Sequence, residues 1–170
     1  MLKGKIVVFM GSNSDFVFAS RIKDFLQEEG FSVECEYVVA SAHKTPQRLL
    51  KEIRSRDGAE DTVFVTVAGL SDALSGVVAG STKNPVIACP PDSDKFGWAK
   101  VFSSAITPLG IAVAYVHRPE NAALFAVKIL ALSDKKLQEE VETYARRLRE
   151  RLHKSSRSRS HSNSEAKDEL

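Results

Sequence analysis

His43 stands in SAHKTP, residues 41–46, where an apolar run gives way to a helical pattern. Imidazole is the one side chain of this stretch that ordinarily titrates near neutrality, the property a general acid or base needs. Around it, Ser41 and Thr45 offer hydroxyls, Lys44 a charge for a phosphate or carboxylate, and Pro46 suits a first helical turn. A second stretch, Gly11-Ser12-Asn13-Ser14-Asp15, also joins an apolar run to a helical one, so its hydroxyls and N–H groups lie where an anion is favoured. A third, AGLSDALSG at 68–76, is made of small and hydroxyl residues, among them Gly69, Ser71 and Asp72, that let backbone come close to a ligand. A fourth, CPPDSD at 89–94, is stiffened by Pro90 and Pro91 and suits a pocket wall.

Each stretch has a plainer reading beside the chemical one. Ser14 or Asp15 also suits a helix cap, His43 a structural place in a loop, the third stretch a tight turn, and the fourth a rigid connector. The first loop is neither the six-residue glycine fingerprint of dinucleotide folds nor a P-loop with its lysine, so NAD and ATP are not indicated. No serine has the strained glycine-flanked setting of a hydrolase nucleophile, and no acidic pair recurs at glycosidase or metal spacing. Hydrolase and metalloenzyme readings are therefore set aside, and no metal is expected.

The surrounding pattern says what positions these loops. KIVVFM at 5–10 is a continuous apolar run, and after Gly11 the residues Phe16, Ala19, Ile22, Phe25 and Leu26 repeat at three and four until Gly30. The cycle recurs: FSVECEYVV leads to a helix near 46–56, TVFVTVA to a short helix near 71–80, and PVIACP and GIAVAYV supply two more strands followed by helical pattern. Strands without polar alternation are buried on both faces, which predicts an α/β three-layer sandwich, a doubly wound parallel sheet of about five strands with a C-terminal helix. In such sheets ligands bind outside the carboxyl ends of the strands, so the loops at 11–15, 41–46, 69–76 and 90–97 should open on one edge.

A length of 170 residues with 43% hydrophobic content suits one domain. A net charge of +2 and 8% aromatic residues offer no footprint for nucleic acid, and no apolar stretch reaches the roughly 18 residues of a membrane span. Cys35 and Cys89 lie in separate apolar runs with no CxxC pairing, which favours buried reduced thiols and a cytoplasmic protein. The last four residues spell an endoplasmic reticulum retention signal, Lys167-Asp168-Glu169-Leu170, expected to be coincidental because Met1 opens no signal peptide.

Domain organisation follows. Residues 1–132 form the α/β domain. Residues 133–153 form a helix whose Leu137, Val141, Tyr144, Leu148 and Leu152 make a narrow apolar seam, suited either to another subunit or to its own domain. Residues 154–170 are serine- and arginine-rich and expected to be a solvated, disordered tail.

Together MGSNSD, SAHKTP, AGLSDALSGVVAG and PVIACPP, in this order over roughly 4–132, resemble the PurE family of phosphoribosylaminoimidazole carboxylases of purine biosynthesis. The resemblance implies a flavodoxin-like fold and a cofactor-free enzyme acting on aminoimidazole ribonucleotide (AIR), commonly as a homo-octamer. It is closest to the carboxylase branch, which uses carbon dioxide directly; the other branch is a mutase acting on N-carboxyaminoimidazole ribonucleotide. By resemblance His43 would be the proton carrier. Ser12, Ser14 and Asp15 would hold ribose and phosphate with Lys44 adding charge, Ser41, Ser71 and Asp72 would line the side where the carboxylate forms, and Gly11, Ala42 and Gly69 would belong to the same substrate site. The carboxylase branch usually has arginine and asparagine where this chain has Leu70 and Asp72, and another arginine at Ile106. The mutase and a non-catalytic nucleotide-binding protein of the same fold are the competing readings.

Overall fold

The computed structural model describes the backbone of residues 4–91 and 99–165, with side chains for 4–91 and 100–153. Five strands alternate with helices: β1 (Lys5–Met10), α1 (Phe16–Glu29), β2 (Glu34–Val39), α2 (Pro46–Arg54), β3 (Thr62–Val67), α3 (Ala73–Ala79), β4 (Val86–Ala88), α4 (Ala99–Ala105), β5 (Ala114–Tyr115), α5 (Pro119–Leu130) and α6 (Lys135–Glu165). All pairings are parallel and the sheet order is β2-β1-β3-β4-β5, the doubly wound flavodoxin-like arrangement.

β1 lies between β2 and β3 and sends alternate side chains to opposite layers. Ile6, Val8 and Met10 join Val63, Val65 and Val67 of β3 beneath Ala19, Ile22 and Leu26 of α1 and Ala122, Ala126 and Val127 of α5. Val7 and Phe9 pack with Phe64, Leu49, Ile53, Leu74 and Val78 on the α2 and α3 side, where the Phe9 and Phe64 rings meet edge to face at 5.4 Å. Two such cores, one on each face, explain why β1 and β3 carry no polar alternation.

Three elements differ in extent from the sequence expectation. β2 begins at Glu34, because Phe31 N–H donates to Leu26 O and Gly30 adopts φ 79°, which ends α1 with a left-handed cap before the strand starts. β5 shrinks to two residues: it pairs on one side only, and Gly110 (φ 93°) and the Ile111-to-Pro108 turn occupy the start of the expected run. α6 carries the helix to Glu165 with no break at the expected boundary of 153. The expected retention-like ending, at 167–170, and residues 92–97 of the fourth loop lie outside the described residues.

The seam of α6 divides along its length. Leu137 is 1% exposed, and Tyr144 closes an aromatic cluster with Phe25 and Phe31, so the first half packs on its own chain. Leu148 and Leu152 are 40% and 62% exposed, beyond the reach of that core. No helix among the described residues is long and apolar enough to cross a membrane.

Candidate active site

The order β2-β1-β3 places a topological switch point between β1 and β3, and the loops leaving these strands meet there. Gly11 N–H donates to Val67 O and Ala40 N–H to Met10 O, so the ladder continues one residue past each strand and fixes where the loops depart. Between them lies a cavity of about 270 Å³ lined by residues of three loops and the first turn of α3.

The first loop contributes Gly11, Ser12, Ser14 and Asp15. Ser12 starts a single 3-10 turn, Asn13–Asp15, with a capping box: Asp15 Oδ2 accepts from Ser12 N–H at 2.9 Å and from Ser12 Oγ at 3.3 Å. Asp15 is only 8% exposed, so its carboxylate forms part of the floor. The Ser12 and Ser14 hydroxyls are hydrogen-bonded to each other. If Ser12 Oγ donates to Asp15, Ser14 donates to Ser12; if Ser12 donates to Ser14 instead, the Ser14 proton is left for an acceptor at the turn. Asp15 thus caps the turn, and the Ser12 and Ser14 hydroxyls line the cavity beside it.

The second loop contributes Ser41, Ala42, His43 and Lys44. Its shape is set by reciprocal bonds: Thr45 Oγ1 accepts from Ser41 N–H at 3.0 Å, Ser41 Oγ accepts from Lys44 N–H at 3.1 Å, and Thr45 N–H donates to Ser41 O at 3.0 Å. Pro46 then opens α2. These bonds close the backbone around His43 and leave the imidazole exposed, with no hydrogen bond to it among the described residues. A proton carrier in that position is free to meet a ligand in the cavity.

The third loop contributes Ala68, Gly69, Leu70 and Ser71, and α3 adds Leu74. A Cβ on Gly69 would stand 3.1 Å from Asp15 Oδ1, so the bare glycine is what lets the third loop close on the first. Asp72 does not line the cavity, which corrects the place expected for it. It is 4% exposed, caps α3 by accepting from Ser75 N–H at 3.0 Å, and accepts from Ser104 Oγ of α4 at 2.8 Å. The other candidate catalytic and binding residues, from Gly11, Ser12, Ser14 and Asp15 through Ser41 to Lys44 and on to Gly69 and Ser71, meet at the cavity, whereas Thr45, Pro90 and Pro91 do not line it. Ala68, Leu70 and Leu74 were not singled out as lining residues, since apolar side chains carry no chemical signal beyond membership of the loop. Among the described lining residues Lys44 is the fixed cation and Asp15 the carboxylate.

A model of the AIR carboxylase family matches residues 5–151. The chain belongs to the AIR carboxylase family. This member is 45% identical over 150 residues to a phosphoribosylaminoimidazole carboxylase of Archaeoglobus fulgidus, covering 88% of this chain and 82% of that protein. It is 41% identical over 152 residues to a Methanocaldococcus jannaschii protein named N5-carboxyaminoimidazole ribonucleotide mutase, covering 88% and 94%. The crystal structure of Treponema denticola PurE superposes with a TM-score of 0.86 at 34% identity, over 92% of this chain and 98% of that one.

Proposed function

We propose that this AIR carboxylase family member carries out the ATP-independent carboxylation of AIR with carbon dioxide, giving carboxyaminoimidazole ribonucleotide, a step of purine biosynthesis. The observation that carries the proposal is the sharing of one cavity by the exposed His43 and the Ser12–Ser14 hydroxyl pair. The hydroxyl turn, with Lys44 alongside, suits the ribose phosphate, and Asp15 Oδ1 suits a ribose hydroxyl. The aminoimidazole ring then reaches toward His43 and the Gly69–Ser71 backbone.

The ring is an enamine, so its nucleophilic carbon attacks carbon dioxide. A C–C bond forms as a C–O π pair moves onto oxygen. The resulting non-aromatic ring carries a proton at the attacked carbon; His43 takes that proton and aromaticity returns. In the reverse direction the imidazolium returns it. The protein's task is positioning, because a small neutral gas offers few handles. Leu70 and Leu74 give this cavity apolar wall, which suits an uncharged co-substrate, and among the described lining residues Lys44 is the one fixed cation for a ligand that already carries a phosphate. That balance suits carbon dioxide better than the N-carboxylated isomer, which adds a carboxylate to the charge of the phosphate.

The reading includes a cytoplasmic homo-oligomer, an octamer by family resemblance, with AIR, carbon dioxide and its own copies as partners. The exposed Leu148 and Leu152 continue the seam of α6 and suit a subunit contact. Light scattering tests this part, and a monomer would overturn it.

The reaction is tested by supplying AIR at low bicarbonate with carbonic anhydrase and no ATP, beside a sample given the N-carboxylated isomer. Efficient carboxylation of AIR supports the proposal. Turnover of the isomer alone would make the protein a mutase, and silence in both would leave a binding protein.

A further inference from the structure

Among the described residues α4 contributes nothing to the lining of the cavity, yet it is bonded to the third loop, which lines it, and to the fourth, which lies behind Gly69. Asp72 N–H donates to Ser103 Oγ at 3.1 Å, and Ser103 Oγ donates in turn to Lys100 O at 2.9 Å. The Asp72 carboxylate is shared between two helices, with Oδ1 on Ser75 N–H of α3 and Oδ2 on Ser104 Oγ of α4. Asp72 and Ser104 are 4% and 0% exposed, so water does not compete for these bonds. The same helix turns Lys100 Nζ onto Pro91 O of the fourth loop. Pro91 in turn lies beside Gly69: its Cγ is 3.9 Å from where a Cβ on that glycine would stand.

We infer that Asp72 is a positioning residue, and that with Ser104 it sets the place of the Gly69–Ser71 segment against His43 without touching the ligand. The inference rests on the proposed reaction for its kinetic readout. The carboxylate has the two acceptor oxygens this arrangement needs, one for a helix N–H and one for a hydroxyl. An amide serves almost as well, since Asn can accept from Ser75 N–H and donate to Ser104 Oγ. An alanine breaks both bonds, and Ser104→Ala breaks one from the other side while leaving Asp72 in place. The geometry thus separates a residue acting on the ligand from one acting through its neighbour. A ligand contact needs Asp72 alone; a positioning device needs the pair.

The test is a double-mutant cycle on Asp72→Ala and Ser104→Ala with Asp72→Asn as the conservative variant, measuring kcat, KM for AIR and the folded fraction. Each alanine variant should lower kcat per folded enzyme by roughly tenfold or more, with KM for AIR within about threefold, because the phosphate loop is untouched. The double variant should be little worse than either single one, and Asp72→Asn should recover most of the loss. A fall confined to Asp72→Ala would overturn the inference in favour of direct contact. Lowered stability with normal turnover in both would reduce the pair to scaffolding, and so would also overturn it. Amide hydrogen exchange at residues 69–75 gives a readout that needs no activity: Ser104→Ala should speed exchange there by about tenfold while β1 and β3 stay protected. Unchanged exchange would overturn the inference even if the wild-type protein failed to turn over AIR, whereas that failure alone would overturn only the proposed reaction.

Discussion

Gly69 closes on Asp15 so tightly that a single added methyl group would meet the carboxylate oxygen at 3.1 Å. The glycine has an ordinary φ, so the constraint is one of space and not of backbone strain. Gly69→Ala must push Asp15 or the third loop aside by a few tenths of an ångström. The expected result is a several-fold rise in KM for AIR with a stability loss of about 1–3 kcal/mol. Steady-state kinetics beside thermal unfolding checks it, and an unchanged KM would show that the floor of the cavity has slack.

His43→Asn should leave ligand binding and stability nearly as they are, because the exposed imidazole has no hydrogen-bond partner among the described residues to lose. Turnover should fall by roughly 10²–10⁴-fold if the ring carries the proton. Calorimetric titration with AIR and a carboxylation assay on the same sample separate the two. Near-normal rates would remove His43 from its role.

Ser14→Ala and Ser12→Ala should differ. Ser14 supplies a hydroxyl to the pair, so its loss should raise KM for AIR by roughly tenfold, the order of one hydrogen bond to a charged group. Ser12 also belongs to the capping box with Asp15, and its alanine should cost a further ~1 kcal/mol of stability. Paired kinetics and denaturant unfolding would show both variants losing affinity and Ser12→Ala losing more stability.

Glu36 should give the fold part of its acid sensitivity. A hydrogen bond from Arg56, and less so one from Lys5, holds its carboxyl below the usual carboxylate range against the opposing effect of burial. Such a group contributes stability above its ordinary pKa of about 4.3 that is lost as pH falls through the lower folded value. With the Glu36 side chain 31% exposed the contribution should be below about 1 kcal/mol. Tm measured from about pH 6 downward should fall more steeply below about 4.3 in wild type than in Glu36→Gln. Parallel curves would remove Glu36 from the acid transition.

Leu137→Ala should cost about 2–5 kcal/mol, since the side chain is 1% exposed against its own chain's core. Leu148→Ser should leave the stability of a single chain nearly unchanged and, on the proposed subunit contact, shift the protein toward smaller species. Unfolding at two protein concentrations, with light scattering, checks both. Equal stability losses in the two variants would place the whole seam inside one subunit.

The layers and the site edge were legible in the sequence because β1 and β3 are unbroken apolar runs and each is followed by a small, hydroxyl-rich loop. Lengths were less so. β5 is written as a seven-residue apolar run, but an edge position with one neighbour and a glycine turn leaves two residues in the ladder. Phe31 reads as strand and serves as the cap of α1, a choice made by the left-handed Gly30 before it. In the site, His43 and the serine turn announce themselves by type. Asp72 does not, because an aspartate that caps a helix and one that faces a ligand look alike until Ser104, 32 residues further on, is seen to hold it. Leu70 and Leu74 were readable only as members of a loop, since apolar groups gain meaning from what they enclose.

Every described residue that lines the cavity falls between Gly11 and Leu74, in the first half of the chain. The second half holds that cleft in shape from outside, through β4, α4 and α5, and its described side chains take no part in lining it. The two halves are therefore under different demands. The first must keep particular chemical groups in place, while the second need only present the right shape and a few hydrogen bonds behind the wall. Substitutions at the described residues after 74 reach the reaction only by moving what lies in front of them. A library confined to the described residues of the second half should therefore yield variants graded in rate but alike in the ligand they accept.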